Sequence, residues 1–326
     1  EERVGFGYGA LAAGADIIIA EALLERGAEL HAVLPGGAEA FAAVSVDPFG
    51  RTWRKRFDSV LERAAEIRRV RPLGARPGEA MIGLADEVAM GAALINARRL
   101  ESSAVQLLVL DCAREANGTS GRSREIWSSG GWRQRILTAA RETRHDRPAD
   151  SSDAQAPLAV LAVGWDDGQD HDPGITLAQL LPFLAELPAP DIPPYLTEDR
   201  LILAWRGPGE AAGAAVRLLE TAGDGLKLRI GGQYGPAATF RDPFSGSPRL
   251  ALAATAAAAG ALASAPPGTA FVTDDFAAAL AAAGPCRPAS EYIGELDPPD
   301  GGPPVGLYAL KSYDQLFQPL GRDDGQ

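Results

Sequence analysis

The chain has 326 residues, a formal net charge of −12 and a sequence pI near 4.8. This length suffices for two ordinary domains, and the acidic balance argues against a nucleic-acid surface. Cys112 and Cys286 lie too far apart in sequence for a metal motif or a disulfide framework. The longest weakly apolar stretch, 250–265, is short for a membrane span and mostly alanine, and no signal peptide is visible. We therefore expect no membrane span and a reducing, cytoplasmic location.

The N-terminal region predicts half of a Rossmann-like unit. Residues 3–6 read as the end of a strand that runs directly into Gly7-Tyr8-Gly9. We therefore expect that the strand opening this domain is missing from the numbered sequence. Helical apolar spacing follows from Asp16 to Arg26, and Gly27 is a good C-terminal stop. Residues 30–34 predict a buried strand.

Later helices and strands alternate in the same way. Residues 53–70 predict one charged amphipathic helix, and residues 83–100 predict another helix. Residues 105–111 predict an apolar strand that ends in an aspartate. Alternation of helices with buried strands is typical of a parallel sheet. We therefore predict a Rossmann-like parallel sheet over residues 1–138.

Two loops of this domain follow predicted strands, and both are candidate ligand sites. Ligands of open α/β sheets bind at the carboxyl ends of strands, and a helix N-terminus there favours anionic groups. The glycine spacing in 7–14 is not G-x-G-x-x-G, so no dinucleotide fingerprint is predicted. Asp16 either caps its helix or binds a ribose hydroxyl. The candidate ligand-binding residues are Gly7, Tyr8, Gly9, Gly14, Asp16, Asn117, Gly118 and Thr119.

Four short motifs carry a family resemblance in this region. They are GYGALAAGADI at 7–17, AELHAVLP at 28–35, DEVAMG at 86–91 and VQLLVLD at 105–111. Together they resemble the SLOG-type Rossmann-like domains, whose members sense or process nucleotide-derived ligands. Similar segments precede cyclase domains in some bacterial proteins. The resemblance implies a ligand class, a nucleotide or nucleotide-derived small molecule, but not one compound.

A polar, charged and proline-containing stretch at 139–156 predicts a linker. The second domain is predicted to run from 157 to 311, and residues 312–326 form a tail. A strand, a helix, a hairpin at 195–205, a second helix and further strands follow one another in this domain. That order is the ferredoxin-like α+β plan. The predicted fold class is therefore α/β plus α+β, with no sheet continuing across the linker.

An ordered series of motifs in the second domain resembles the late core of the class III nucleotidyl cyclases. The series comprises a strand at 226–230 that Gly231, Gly232, Gly235 and Pro236 are expected to break around Tyr234, the polar arm DPFSGSP at 242–248, an alanine-rich helix at 249–263 and the stop Pro266-Pro267-Gly268. Residues 291–311 resemble the C-terminal hairpin of the same family. The resemblance implies a cyclase-homology domain with the ferredoxin-like plan.

The alanine-rich helix lacks the two catalytic groups that the cyclase resemblance implies. In the family, an Asn on this helix orients the ribose, and an Arg four residues later meets the charge on the α-phosphate. One helical turn places both on one face. Counting back from Pro266-Pro267-Gly268, these positions are Ala256 and Gly260, and neither has a hydrogen-bonding side chain. Alanine dominates residues 251–263, so a one-residue shift of the alignment restores neither group.

The paired metal carboxylates of the family are also altered. Two carboxylates hold Mg²⁺ on the triphosphate, because hard cations take oxygen ligands. The second matches Asp199, but a glutamate and an arginine replace its glycine neighbours. The first falls on Val163, and an aspartate replaces it only if the strand is offset by three or four residues. The acidic tract 166–172 is otherwise a solvated loop. The candidate metal ligands are Asp199, Asp166 and Asp167, with Mg²⁺ the possible cofactor and none certain.

Three functions stay open at this point. The favoured one is a regulatory or scaffolding protein that binds a nucleotide ligand and carries a catalytically inactive cyclase-homology domain. The second is an active adenylate or guanylate cyclase that makes a 3′,5′-cyclic nucleotide from ATP or GTP. The third is a nucleotide-processing enzyme at the Rossmann-like domain, with Glu21 or Asp111 as its working carboxylate. The cyclase resemblance also implies pairing through the second domain, in a homodimer or in a heterodimer with an intact cyclase chain.

Overall fold

A computed structural model shows two compact units that divide at residue 157. Residues 1–157 and 281–284 form the first unit, and residues 158–280 and 285–326 form the second. The structure describes residues 3–70, 78–111, 119–140, 156–165, 173–197, 199–222, 226–251, 255–284, 288–297 and 303–312.

The first unit begins with three parallel strands joined by helices. Strand β1 pairs with β2, and β2 pairs with β3, in parallel. Apolar residues of α1, β2, α2 and α3 form its core, in which the Phe41 and Phe57 rings lie 6.1 Å apart. The elements are β1 (Phe6–Gly9), α1 (Ala15–Glu25), β2 (Glu29–Leu34), α2 (Ala38–Ser45), α3 (Arg51–Arg63) and β3 (Glu66–Arg69).

A second parallel pair completes the first unit. Helix α4 (Glu79–Arg99) packs against β1 and β2, and β4 (Val105–Asp111) pairs with β5 (Arg133–Ala139). Helix α5 (Thr119–Ser129) connects those two strands. The strands are parallel as predicted, but the described ones form a sheet of three and a sheet of two instead of one continuous sheet. The Rossmann-like assignment therefore stays a prediction.

Helix α4 is long and apolar enough, by length and composition, to cross a membrane. Its best window has a mean hydropathy of 1.3, and 44% of that window is buried inside the protein. Two carboxylates, Asp86 and Glu87, lie in the middle of the helix, and Glu87 is itself buried. Packing against β1, β2 and α5 accounts for the apolar residues, so the feature is weak support for a span.

Three details of the first unit differ from the sequence predictions. The helix predicted for 53–70 ends at Arg63, because the alternating residues 66–69 form β3 beside β2. Gly7, Tyr8 and Gly9 lie in β1, so the glycine-rich loop comprises only 10–14. Helix α5 begins at Thr119 within the predicted loop 117–121. Asn117 and Gly118 lie outside the described residues.

The second unit opens with the predicted strand–helix–hairpin–helix–strand order. Strand β8 pairs antiparallel with both β6 and β7, and β9 lies on the other side of β6. The spatial order β9-β6-β8-β7 matches a ferredoxin-like plan. The elements are β6 (Pro157–Trp165), α6 (Pro173–Ala185), β7 (Ile192–Leu196), β8 (Arg200–Trp205), α7 (Pro208–Ala222) and β9 (Leu228–Pro236).

Further strands extend this sheet to seven, in the order β13-β14-β12-β9-β6-β8-β7. Strand β12 runs parallel to β9, whereas β14 pairs antiparallel with β12 and β13, so the sheet is mixed. A separate hairpin, β10–β11, carries the polar arm. The elements are β10 (Thr239–Arg241), β11 (Pro248–Leu250), α8 (Ala256–Ser264), β12 (Thr269–Thr273), α9 (Asp274–Ala282), β13 (Ala289–Leu296) and β14 (Val305–Lys311).

Of the residues predicted to break the strand around Tyr234, Gly231 and Gly232 do not break it, whereas Pro236 is its last residue. Strand β9 continues through Gly231 and Gly232 to Pro236. A Cβ at Gly231 would overlap backbone atoms of Ala258 and Leu262 in α8, and a Cβ at Gly232 would lie 2.8 Å from Val272 Cγ1. The glycines therefore permit close packing on both faces of an unbroken strand. The alanine-rich helix also starts later than predicted, because residues 248–250 form β11.

Candidate functional site

Helix α8 presents small residues at both positions where the cyclase resemblance expects catalytic side chains. Ala256 is the first residue of the helix and is exposed. Gly260 lies one turn later, and a Cβ there would approach Leu296 Cδ2 at 3.0 Å. The N-terminus of the helix is held by Gln233, whose Oε1 accepts a hydrogen bond from the Ala258 amide at 2.8 Å. The helix is thus formed and anchored without a donor at either position.

Asp199 lies in the turn of the β7–β8 hairpin, where its carboxylate binds the next residue. Arg200 Nε donates to Asp199 Oδ1 at 2.7 Å, and Arg200 Nη2 donates to Oδ2 at 2.5 Å. The Thr197 hydroxyl donates to the same carboxylate at 3.2 Å. The hydrogen bonds from Arg200 hold the pKa of Asp199 below its ordinary value. Asp199 is therefore ionised, but a metal ion would compete with an arginine for both of its oxygens.

The opening strand offers no described carboxylate at the family position. Val163 is completely buried in β6, and the strand ends at Trp165. Asp166 and Asp167 lie outside the described residues, so their distance to Asp199 is not defined. No group of three or more His, Cys, Asp or Glu residues that could hold a metal ion occurs in the described part of the chain. The two-carboxylate magnesium site stays a prediction.

The glycines around β1 in the first unit have different local roles. Gly7 packs against α1, since a Cβ there would lie 2.5 Å from Leu23 Cδ1. Gly14 precedes α1 with φ of 109°, a left-handed conformation that favours glycine. A Cβ at Gly9 would meet nothing within 4 Å. Gly9 and Gly14 thus leave open space where a ligand could approach the backbone, whereas Gly7 serves packing.

Tyr8 forms part of a ladder across the three-stranded sheet. Tyr8, His31 and Glu66 are register partners on β1, β2 and β3. The Tyr8 ring stacks on His31 with centroids 4.7 Å apart, and His31 Nδ1 lies 2.8 Å from Glu66 Oε2. Burial, followed by the charge of Glu66, raises the pKa of Tyr8 to about 12, and a hydrogen bond with Asn96 opposes the rise. One face of the Tyr8 ring is therefore covered by the protein itself.

Asp16 lies beside a second aspartate that the sequence reading did not select. Its Oδ2 accepts a hydrogen bond from the Ala12 amide at 3.2 Å, and burial raises its pKa to about 6. Asp86 of α4 accepts a hydrogen bond from the Ser123 hydroxyl at 3.0 Å. Burial, followed by the charge of Asp16, raises the pKa of Asp86 to about 7. Asp16 keeps accessible surface although protein atoms crowd it, which is typical of a group lining a concavity.

A neighbouring ion pair fixes α4 to α5. Glu87 is 7% exposed, and Arg122 donates to its Oε1 from Nε at 2.9 Å and from Nη2 at 2.7 Å. The adjacent pairs Asp86–Ser123 and Glu87–Arg122 therefore join the same two helices. The sequence contained a signal for this cluster, because the two carboxylates that begin the DEVAMG motif lie within an otherwise apolar stretch of the helix. Such residues are rarely buried in a helix without a partner.

Glu21, one proposed working carboxylate of the first unit, is committed to an arginine. Arg56 Nε donates to Glu21 Oε1 at 2.8 Å, and Arg56 Nη2 donates to Oε2 at 2.5 Å. The hydrogen bonds from Arg56 lower the pKa of Glu21. Arg56 in turn lies 4.3 Å from the Trp53 ring centroid. These contacts suit a structural ion pair between α1 and α3, not a proton donor. Asp111 ends β4, where the sequence places it.

Comparisons with known proteins found similar solved structures. The chain is 14% identical to an adenylate cyclase of Trypanosoma brucei, with 48% of this chain and 88% of that one covered at a TM-score of 0.41. It is 11% identical to the guanylate cyclase domain of RhGC from Catenaria anguillulae, solved in complex with GTP. That match covers 48% of this chain and 96% of that one at a TM-score of 0.38. The adenylyl cyclase CyaB from P. aeruginosa is 11% identical, and the match covers 48% of this chain and 94% of that one at a TM-score of 0.36.

No protein-family model and no curated protein sequence matches the chain. The structural matches have TM-scores below 0.5 and identities of at most 14% among those described above. They record what the chain is similar to and establish neither its family nor its activity.

Proposed function

We propose that this chain is a regulatory or scaffolding protein that binds a nucleotide or nucleotide-derived ligand and carries a catalytically inactive cyclase-homology domain. The observation that carries the proposal is α8, which is well formed and anchored by Gln233 but has Ala256 and Gly260 at the two catalytic positions. The Asp199–Arg200 pair supports it, because the matching metal ligand is already neutralised.

The sizes of the expected rate losses favour an inactive domain over a slow enzyme. Removing one preorganised donor to a transition state costs roughly 10²–10³ in rate. An arginine that serves phosphoryl transfer contributes about 10³–10⁵. Both losses act on the same step in this chain, together with a compromised metal carboxylate. None of these groups is needed for packing, so the fold is retained without them.

The remaining features of the proposal concern ligand and partners. The ligand binds at the open backbone near Gly9 and Gly14, beside Asp16, where helix α1 begins after β1. The cyclase-homology domain pairs with a second such domain, either another copy of this chain or an intact cyclase. Mg²⁺ enters only with a bound nucleotide, and the location is cytoplasmic.

The test is incubation of purified protein with ATP, GTP or nucleoside monophosphates, in the presence of Mg²⁺ or Mn²⁺, with products separated by chromatography and mass spectrometry. We expect no cyclic nucleotide, and saturable binding of at least one nucleotide by equilibrium dialysis. Turnover to a 3′,5′-cyclic product above roughly 10⁻² per second, against the usual enzyme range of about 1–10³ per second, contradicts the inactive assignment. In that case the active-cyclase alternative holds, with Asp166, Asp167 and Asp199 as an offset metal site.

A specific observation favours the nucleotide-processing enzyme as second candidate. Titratable groups with strongly perturbed pKa values cluster at functional sites. Burial raises the pKa values of Asp16 and Asp86, and the charge of Asp16 adds to the rise at Asp86. Under this candidate the aspartate pair replaces Glu21 as the acid–base group. Release of free base from a nucleoside monophosphate, lost in Asp86→Asn, would support it.

A further inference from the structure

A groove lies between helix α7 and strand β14 of the second unit. Val216 and Leu219 form its helical side, and Leu310 lies on its strand side. Glu220 and Lys311 also line it, and the volume is about 340 Å³. Val216 and Leu219 are only half-buried. The groove therefore offers a mainly apolar surface with room for one or two large apolar side chains.

The described chain ends at this groove. Strand β14 ends at Lys311, which lines the groove, and Ser312 is the last described residue. Residues 313–326 follow, and they begin with the sequence YDQLFQPL. Four large apolar residues thus occur within eight positions, and the polar sequence GRDDGQ follows them.

The reach of the chain permits contact with both sides of the groove. Leu316 is five positions after Lys311, and an extended chain spans about 3.3–3.6 Å per residue, or roughly 17 Å in all. A short tether also gives an effective concentration on the order of millimolar, so that weak apolar contacts suffice for binding. The charge of Lys311 is met by Glu291 on the neighbouring strand, so the entering chain passes a neutralised position.

We propose that the C-terminal segment 313–320 binds in this groove of its own chain. Leu316 and Phe317 are the anchoring side chains, because they are adjacent, large and within reach of Val216 and Leu219. The groove is then an internal docking surface that is occupied in the full-length protein. It is distinct from the proposed ligand site and from α8, and the proposal does not depend on the function assigned to either.

Methyl NMR of the full chain tests this proposal. The probes are the methyl groups of Val216, Leu219 and Leu310, with Leu161 and Val163 in β6 as reporters of intact folding. We expect Leu316→Ser with Phe317→Ser to shift the three groove methyls and to leave the β6 methyls unchanged. The matched control replaces the flanking polar residues, Gln315→Ser with Gln318→Ser, and is expected to shift none of them.

Truncation after Ser312 should give the same groove shifts as the double serine variant. Adding a synthetic peptide of residues 313–320 to the truncated protein should then restore them in a saturable manner. Groove methyls that do not change on truncation overturn the proposal. In a further experiment, labelled truncated protein is mixed with unlabelled untruncated protein at the same concentration as in the single-protein sample. If the groove methyls of the truncated protein shift only in this mixture, and dilution of the untruncated protein abolishes its own groove contact, the segment comes from a second copy. That result also overturns the proposal.

Discussion

Asp199 and Arg200 form a two-point ion pair between neighbouring residues in the turn of the β7–β8 hairpin. The arrangement places a positive charge where a metal-binding turn needs an unobstructed carboxylate. Both residues belong to the hairpin turn, so the ion pair that occupies the Asp199 carboxylate needs no other part of the chain. Removing the arginine tests how strongly it controls Asp199.

Arg200→Ala is expected to raise the pKa of Asp199 towards its ordinary value of 3.8, because the hydrogen bonds from Arg200 are the largest cause of its lowered pKa. The measurement is carboxyl ¹³C NMR across pH 2–6. Arg206→Ala is the matched control, since Arg206 Nε lies 3.8 Å from Asp191 Oδ1 and does not bind Asp199. An Asp199 pKa that is the same in all three proteins would contradict the prediction. Because Asp199 is largely exposed, the change in unfolding free energy is expected to be small.

Introducing the Asn and Arg that the cyclase resemblance implies for α8 is expected to leave the protein inactive. Ala256→Asn with Gly260→Arg returns the helix donors, but Arg200 still binds Asp199 and Val163 still occupies the first carboxylate position. The new arginine must displace Leu296 Cδ2, which is the end of a flexible side chain. The measurement is cyclic product formed from ATP or GTP with Mn²⁺. Activity in the double variant but not in the wild type would show that the metal site is intact.

Replacing Gly260 in α8 and Gly231 beneath it by alanine is expected to change the stability of the protein in opposite directions. Gly260→Ala should stabilise the protein by up to about 0.5–1 kcal/mol, since glycine is unfavourable inside a helix. Gly231→Ala should destabilise it by about 1–3 kcal/mol or more, because the new Cβ overlaps the backbone of α8 and the helix must move away. Urea unfolding of the second unit measures both. Equal effects at the two positions would contradict the close packing of α8 on β9.

Stability of the first unit is expected to depend on pH through Asp86. Its pKa is about 7 in the folded protein, against an ordinary value of 3.8. Between these values the folded state binds more protons than the unfolded state, so this contribution is fully present below about pH 4 and is lost as pH rises through about 7. Asp16 acts in the same direction, with a folded pKa of about 6. Glu21 and Glu66, whose pKa values are lowered, act in the opposite direction.

The difference in unfolding free energy between the wild type and Asp86→Asn isolates the contribution of Asp86 ionisation. The asparagine keeps an acceptor for the Ser123 hydroxyl but carries no charge, so the variant should gain stability relative to the wild type as pH rises from 5 to 8. Thermal or urea unfolding at several pH values provides the measurement. The exposed Glu125→Gln on α5 is the control. A wild-type-minus-variant difference that does not change with pH would count against a raised pKa of Asp86 in the folded protein.

Pairing through the second unit is expected to depend on the arm between β10 and β11. Phe244 is 98% exposed and Phe240 is 53% exposed on this hairpin, which is unusual for phenylalanine. We expect a dimer by light scattering at tens of micromolar, and a dissociation constant at least tenfold weaker in Phe244→Ser. Leu181→Ser, at another exposed apolar position of the same unit, is the control. A strict monomer in the wild type leaves only a heterodimer.

The order of elements in the second unit was predictable because each has its own local signal. The β7–β8 hairpin lies at the predicted position, and α8 ends before Pro266-Pro267-Gly268 as the sequence predicts. The errors occur where two local signals conflict with tertiary contacts. Gly231 and Gly232 look like strand breakers, yet they are the residues that close packing on β9 requires. The charged residues 66–69 continue the composition of α3, but pairing with β2 makes them a strand.

The candidate sites were less predictable than the fold. Asp16 was selected from its place after a glycine-rich loop, but Asp86, whose pKa its charge raises, is 70 positions away in sequence and is brought near only by the packing of α4 against β1. The Arg56 partner of Glu21 is likewise remote in sequence. By contrast, the obstruction of Asp199 by Arg200 could be anticipated because the two residues are adjacent. The distance in sequence between partners thus set what residue patterns could reveal.

The contact between Gly231 and α8 also decides what can be exchanged in this protein. Strand β9 helps to position the helix through the missing Cβ of Gly231 and the amide oxygen of Gln233, and Ala258 and Leu262 of the helix pack into the core. A helix transplanted from an active enzyme would therefore seat correctly if it kept a small residue at Ala258 and left the approach to Leu262 clear. Residues on the outer surface of α8 can therefore be exchanged without moving the helix, whereas any larger residue at Gly231 would displace it.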